Sequence, residues 1–491
     1  MTAGIAAWGT YLPFWRLQRS AIAGVLGSGG GRGTRAVASH DEDTTTLGVE
    51  AGRRALAVSA PEAVQDLFFS TPDPAYLDKT SATTVHAALG LGRGCGAYDF
   101  AGSSRSALGT LLLALGTADT GRTGRTTLAV VSDLRTGLAG SAEERDSGDA
   151  AAALVCAPDG AVAELIGRGA ASDEFLDRWR VPGETDSHVW EERFGEEMYV
   201  PLAREAFAAA LKDAGVTEDD VDHAVVSGLH VRAVKAVTKG LGVRDGVLAP
   251  DLSGSVGNLG AAHAVVALCD VLERARSGQV IVVLSLADGA DALVLRTTDA
   301  LPAAQEARAA AGIPSVAEQV AAGRDDLPYA TFLTWRGHMR REPPRRPDPE
   351  RPGAPTVHRS EEWKYAFAAS RCQVCGFRHM PPTRACLSCH TIDQMQPERL
   401  ADVPGTVATF TIDHLAFSLS PPVVGVIVDF DEGGRYRCEM TDVVASELSI
   451  GDRVSMTFRR VWTAQGVHNY FWKARPAVAR ADAAADTKQG A

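Results

Sequence analysis

The chain repeats itself. "DFAGSSRSALGTLLLALG" (99–116), "RTTLAVVSD" (125–133) and "SGDAAAALVC" (147–156) run in the same order as "DLSGSVGNLGAAHAVVAL" (251–268), "GQVIVVLSL" (278–286) and "ADGADALVLR" (287–296). Each series reads as a turn of small residues, a long apolar helix, an apolar strand, a Gly/Asp turn and a second strand. Upstream, 47–91 and 202–243 also match. Each gives an amphipathic helix, an acidic turn, a short apolar strand and a further helix ending in Leu-Gly. A duplicated unit that alternates helix and strand requires a layered α/β fold. Runs such as "TLAVVS" and "VIVVLS" fit strands covered on both faces. Residues 1–300 are therefore predicted to be two copies of one unit, about 1–165 and 200–300.

Beyond the repeats the pattern changes. Residues 301–325 are Ala-rich and predicted helical. "REPPRRPDPERPGAP" (341–355) is dense in proline and charge, which rules out a helix or a central strand and predicts an extended linker. The segment 301–361 is thus expected to be a helical and Pro-rich linker. From 405 to 473, alternating β-branched and aromatic runs are spaced like the strands of a small barrel. The Ala-rich segment 477–491 is expected to be a flexible tail.

Eight cysteines are present, and four fall in one short window. "CQVCGFRHMPPTRACLSC" places Cys372, Cys375, Cys386 and Cys389 at C-x2-C-x10-C-x2-C spacing. Two such turns supply four thiolates to one tetrahedral ion, and a four-sulfur shell leaves no position for water. Structural Zn2+ is the expected occupant, and the clustering argues for a reducing compartment over a disulfide framework. Cys95, Cys156, Cys269 and Cys438 sit in apolar contexts and read as core. A net charge of -12 argues against a nucleic-acid partner, since phosphate binding needs a basic face. No apolar run reaches the length of a membrane span, and the N-terminal stretch lacks a basic n-region and a cleavable h-region. A cytoplasmic location is expected.

Residues 1–298 resemble the thiolase superfamily, nearest to its 3-hydroxy-3-methylglutaryl-CoA synthase branch. "GIAAWGTYLPFWRL", "DEDTTTLGVEAGRRAL", "SGDAAAALV" and "GSVGNLGAAHAVVAL" match that branch in order. Residues 362–476 resemble the rubredoxin-type zinc ribbon (362–395) and OB-fold (396–476) that accompany thiolases. "RCQVCGFRHMPPTRACLSCH", "GTVATFTIDHLA", "PPVVGVIVDFD" and "GVHNYFWKARP" carry that match. The resemblance implies a layered αβαβα domain followed by a zinc ribbon and a small all-β barrel. It also implies a CoA thioester substrate, a homodimer and a thiolase-like protein partner.

In the synthase branch a cysteine at the N-terminus of the buried helix takes up the acyl group as a thioester. The matching position here is Gly102. The branch's histidine falls on Ser227, with His230 three residues later. Its glutamate has no acidic counterpart near "FFSTPDPAY" except Asp73, and its asparagine is retained as Asn258. Glycine offers no thiolate, so a Claisen condensation through an acyl-enzyme is not expected. Some thiolase-like aldolases work without the cysteine. An aldol or retro-aldol step needs a base and an oxyanion site, and backbone N–H groups at Gly102 would supply the latter. Asn258 is then the expected donor to the thioester carbonyl and His230 the expected base, with His263 a weaker candidate. Asp149 is expected to order its turn. Ser103 or Ser104 is either a substitute nucleophile or a helix cap. The alternative to catalysis is a scaffold subunit that channels substrate for a thiolase complex. In the barrel, the aromatics of "NYFWKARP" either stack bases or fill the interior.

Overall fold

A computed structural model describes residues 3–477 except 120, 122 and 348. The expected tail beyond 477 lies outside the described residues. The chain divides into two compact units. The first is Met1–Ser39, Asp43–Val85 and Leu91–Arg336; the second is His40–Glu42, His86–Gly90 and Gly337–Ala491.

The first unit is built on nine hydrogen-bonded strands. Across the sheet they run His223–Gly228, Val280–Leu286, Ala290–Thr297, Ala163–Ala171, Gly4–Tyr11, Ala150–Ala157, Thr127–Asp133, Asp66–Thr71 and Gly96–Ala101. The duplication is visible in this order. The first half has five strands and the second half four, namely Ala163–Ala171 at the junction of the repeats and three strands of the second repeat, and the two halves meet where Gly4 and Ile5 pair antiparallel with Glu164 and Ala163. At the place of a fifth second-repeat strand stands one bridge, Ala224 to Leu248.

Two helices form the middle layer. Ser106–Ala118 and His263–Leu272 are apolar nearly all round; the second is buried almost throughout, while the first leaves Gly109 and Leu113 exposed. Leu108, Leu111 and Leu115 of one share a core with Val265, Leu268 and Leu272 of the other. Thr44–Leu56 covers the outer face of the first half-sheet, and Glu192–Ala214 that of the second. The result is the expected αβαβα layering.

Residues 301–336 do not behave as a linker. Leu301–Ala310 and Val316–Ala321 place Leu301 and Val316 in the main core. Tyr329–Trp335 buries Phe332 between two guanidinium groups, Arg35 at 5.1 Å and Arg336 at 5.3 Å from the ring centroid. Both arginines reach the buried Asp149, Arg35 Nη2 at 3.4 Å and Arg336 Nη2 at closer range. The Ala-rich pattern gave no sign of these anchors, which lie mainly outside it.

In the second unit, the strands Ala368–Cys372, Arg378–His379 and Met395–Arg399 make a small ribbon. Gly405–Asp413, Val423–Phe430, Arg435–Met440, Arg453–Ala464 and Val467–Pro476 close a five-stranded barrel. Strand alternation sends Tyr470 and Trp472 inward beside Phe458, and both are buried. Phe471 points the other way and packs on Trp363 and Phe367. These aromatics are spent on packing.

Candidate functional site

The turn that raised the question of a missing nucleophile opens on a pocket. Strand Gly96–Ala101 ends at Gly102, and helix Ser106–Ala118 begins four residues later. Gly102, Ser103 and Ser104 line a pocket with about 560 Å³ of open space, mouth included. Gly102 has φ of 126°, a conformation L-residues rarely adopt. A Cβ built there would meet nothing within 4 Å. The space a side chain would fill is open, and it lies four residues before a helix 13 residues long.

Ser103 is not poised as a nucleophile. Its Oγ accepts the Arg105 N–H at 3.2 Å, which makes it a turn cap. Arg105 itself is clamped, with Nε 2.7 Å from Asp291 Oδ2 and Nη1 donating to the Asp288 carbonyl at 2.6 Å.

The expected partners lie elsewhere. Asn258 Nδ2 donates to the Gly228 carbonyl at 2.8 Å, and Oδ1 accepts the Gly260 N–H at 3.0 Å. The amide is tied to the end of one strand and the start of a helical turn, and it does not line the pocket. It positions backbone instead of offering itself to a thioester. Ser227 is buried in strand His223–Gly228. His230 caps helix Val231–Gly240, its Nδ1 accepting the Ala233 N–H at 3.1 Å. It stands behind the lining, which Leu229 provides. His263 is buried with Nδ1 accepting the Leu259 N–H, and burial depresses it to about 4, so it stays neutral. Asp149 orders its turn as expected, accepting the N–H groups of Ala38 at 2.7 Å and Arg135 at 2.9 Å.

Residues the repeats did not point to complete the pocket. The stretch between the two copies, "DEFLDRWRVPGETDSHVW", supplies Asp177, Arg178, Trp179, Arg180 and Ser187 to the lining, and Tyr199 follows from helix Glu192–Ala214. Its signal was a run of charged and aromatic residues without periodicity at the junction of the repeats. Trp179 stacks on His188 at 5.5 Å, closing a short hairpin of Arg178–Trp179 with His188–Val189.

Three arginines line the pocket, each within ion-pair reach of a carboxylate. Arg135 pairs with Glu143 and lies 3.6 Å from Asp133 Oδ2. Arg178 Nη1 is 2.9 Å from Glu143 Oε1, and Arg180 Nη1 is 3.7 Å from Asp73 Oδ1. Burial pushes Asp133 up to about 6 against the pull of Arg135. Burial also raises Asp177, while His230, Arg178 and the Tyr199 hydroxyl favour its charged form.

In the second unit the four cysteines converge. Their sulfurs all lie within 4.8 Å of one another, with Cys372 and Cys389 at 3.6 Å and Cys375 and Cys386 at 3.5 Å. Four sulfurs bound at about 2.3 Å to a tetrahedral ion stand about this far apart. The N–H groups of Ser388 and Cys389 both point at Cys386 Sγ at 3.4 Å, an arrangement that favours thiolate.

Comparison with known proteins agrees with both units. Residues 211–296 match the C-terminal family of 3-oxoacyl-[acyl-carrier-protein] synthase III. Residues 398–459 match the C-terminal OB-fold domain of ChsH2. The hydroxymethylglutaryl-CoA synthase of Aeropyrum pernix is 30% identical over 354 residues, 69% of this chain and 95% of that protein. That of Pyrococcus furiosus is 29% identical over 293 residues, 58% of this chain and 83% of its own. Among solved structures, MvaS in complex with 3-hydroxy-3-methylglutaryl coenzyme A superposes with a TM-score of 0.59 at 18% identity, covering 68% of this chain and 91% of that one. The 3-oxoacyl-(acyl carrier protein) synthase III of Pseudomonas aeruginosa gives 0.54 at 21% identity, covering 61% and 98%.

Proposed function

We propose, for a chain that belongs to the hydroxymethylglutaryl-CoA synthase family, an enzyme that makes or breaks a C–C bond beside a CoA thioester without an acyl-enzyme. One observation carries the reading. The nucleophile's place holds Gly102, yet the pocket it opens on remains open, lined by the turn Gly102–Ser104 and by Arg135, Arg178 and Arg180. Aldol chemistry uses such a site directly. An enolate or alkoxide forms, and fixed donors and cations stabilise its charge without any covalent bond to protein. The Ser103 hydroxyl supports the same reading, because it is committed to a backbone N–H and has no base beside it in the turn.

The four-cysteine cluster would hold Zn2+ as a closed structural site, its role being to fix the ribbon. A homodimer, a thiolase-like partner docking on the ribbon and barrel, and a cytoplasmic location complete the proposal. Among the described residues no helix is long and apolar enough to cross a membrane.

The test is exchange of the acetyl-CoA methyl hydrogens in D2O, with intact-mass analysis of the quenched protein. Exchange without a protein-bound acetyl group is the expected result. A covalent acyl adduct on the unaltered chain would overturn the reading. The second reading, a scaffold subunit, is favoured by the commitment of Asn258 to Gly228 and Gly260. It predicts that acetyl-CoA binds but never exchanges, even with the partner present.

A further inference from the structure

The lining of the pocket contains no cysteine, histidine, glutamate or lysine. Its arginines hold their protons at any ordinary pH. Among the described lining residues that leaves Tyr199, Asp177 and Asp288, with the serines, to carry a proton. We propose that Tyr199 is the proton-transfer residue of this pocket, with Asp177 as its proton reservoir and with His230 and Gly195 positioning Asp177. The inference rests on the aldol reading above and deepens it by naming the substrate class: a CoA thioester bearing a 3-hydroxyl group in the direction of cleavage, or a ketone acceptor in the direction of addition.

Four observations support the arrangement. The Tyr199 hydroxyl is in hydrogen-bonding reach of the Asp177 carboxylate, and it accepts the Asp288 N–H at 3.4 Å. Asp177 and His230 are each more than nine-tenths buried, at 3% and 8% exposure, yet Asp177 Oδ1 and His230 Nε2 have no hydrogen-bond partner. Because His230 Nδ1 accepts a backbone N–H, the neutral ring carries its proton on Nε2. That atom borders the same spot as the carboxylate: a Cβ on residue 195 would lie 2.6 Å from Nε2 and 2.5 Å from Asp177 Oδ1. Gly195 therefore leaves both groups where they are. The His230 ring also packs 5.9 Å from the Tyr199 ring.

In cleavage, the substrate 3-hydroxyl gives its proton to the Tyr199 oxygen as Tyr199 passes its own to the Asp177 carboxylate. The C–O bond becomes C=O, the bond between the 2- and 3-carbons breaks, its electron pair stays on the thioester as an enolate, and the enolate carbon then takes the proton held by Asp177, returned through Tyr199, to leave acetyl-CoA. Addition reverses each transfer, the protonated Asp177 resupplying Tyr199 as the alkoxide takes the phenolic proton. Burial raises the phenol, so no free tyrosinate builds up, and it raises Asp177, which suits a reversible proton store. Four groups face that carboxyl. His230, Arg178 and Tyr199 favour its charged form and Asp288 opposes it.

The full chain is assayed for acetyl-CoA release from 3-hydroxy-3-methylglutaryl-CoA and 3-hydroxy-3-methylbutyryl-CoA. Tyr199→Phe keeps the ring packed on Phe175 at 5.0 Å. It is expected to lower kcat about 100-fold or more with KM within about threefold. Asp177→Asn is expected to do the same and to abolish the acid limb of the pH profile. His230→Gln is expected to shift that limb to higher pH with a smaller loss. Gly195→Ala is expected to lower kcat while leaving CoA affinity unchanged. A Tyr199→Phe rate near that of the unaltered chain, or an acid limb surviving in Asp177→Asn, overturns the relay alone. An unaltered chain that cleaves neither thioester overturns the aldol reading, and the relay with it.

Discussion

Gly102→Cys puts back the atom the pocket lacks, and its consequences follow from three features of the turn. The first is strain. At φ of 126° a residue with a Cβ costs about 1–3 kcal/mol. The second is space: with nothing within 4 Å of the new Cβ, no steric penalty adds to the strain. The variant should therefore fold, less stable in chemical denaturation by about 1–3 kcal/mol. The third is the helix N-terminus, which stabilises a thiolate and lowers a thiol from about 8.5 into a range of about 3.5–7.5. At neutral pH the installed thiol should then alkylate with iodoacetamide faster than a free cysteine. The natural background is low. Burial pushes Cys95 up to about 11 and Cys156 up to about 12, and Cys269 is buried as well. With the ribbon loaded with zinc, acetyl-CoA should deposit one acetyl group, located by peptide mapping at residue 102. A thiol there that alkylates slowly and takes no acetyl group would show that the turn offers neither electrostatic activation nor thioester access, and the argument from Gly102 would fall.

Purified chain should carry about one zinc by elemental analysis, and Cys386→Ala should lose it and melt the ribbon, because a structural site of this kind supplies about 10–16 kcal/mol of apparent binding energy. Asp149→Ala strips two buried arginines and two N–H groups of their acceptor and should destabilise the first unit by about 3–5 kcal/mol in denaturant titration. Asp133, lifted to about 6, binds its proton more tightly folded than unfolded, so its contribution is present at low pH and is lost as pH rises from about 4 to about 6, a change of about 3 kcal/mol. His263, depressed to about 4, acts oppositely over nearly the same window, losing stability as pH falls. The Asp133 effect is therefore read as the difference between unaltered chain and Asp133→Asn, whose gap should narrow toward pH 4; a gap constant with pH would refute the assignment.

The duplication was legible because its signal is apolar periodicity repeated in one order. Helices Ser106–Ala118 and His263–Leu272 follow from that alone. The cysteine spacing was legible for a different reason: four ligands in two short turns leave little freedom in three dimensions. The pocket was not, because its residues come from segments far apart in the chain. Asp177 and Tyr199 meet Gly102 only once the two half-sheets are joined. Asn258 shows the limit from the other side. The residue type and its place after a Gly turn were right for a donor, but only the fold reveals that Gly228 and Gly260 already hold its amide. The anchoring of 301–336 was equally hidden, since Phe332 is buried by cations from sequence-distant Arg35 and adjacent Arg336.

The absent thiol does not by itself separate enzyme from scaffold. A pocket relieved of its chemistry would gain stability by filling the open space and by pairing its buried polar atoms, since each unpaired group costs about 1–3 kcal/mol. Here the opposite holds. The position that would carry the thiol faces open space, Asp177 Oδ1 and His230 Nε2 stay unpaired, and Arg135 Nε is buried without a partner at the same wall. The glycine at 195 lets those groups approach as closely as they do. Buried atoms without a partner occur elsewhere too, at Trp8 Nε1 and Arg16 Nε for example, so what marks the pocket is their coincidence with the open space at Gly102, where a substrate could use both.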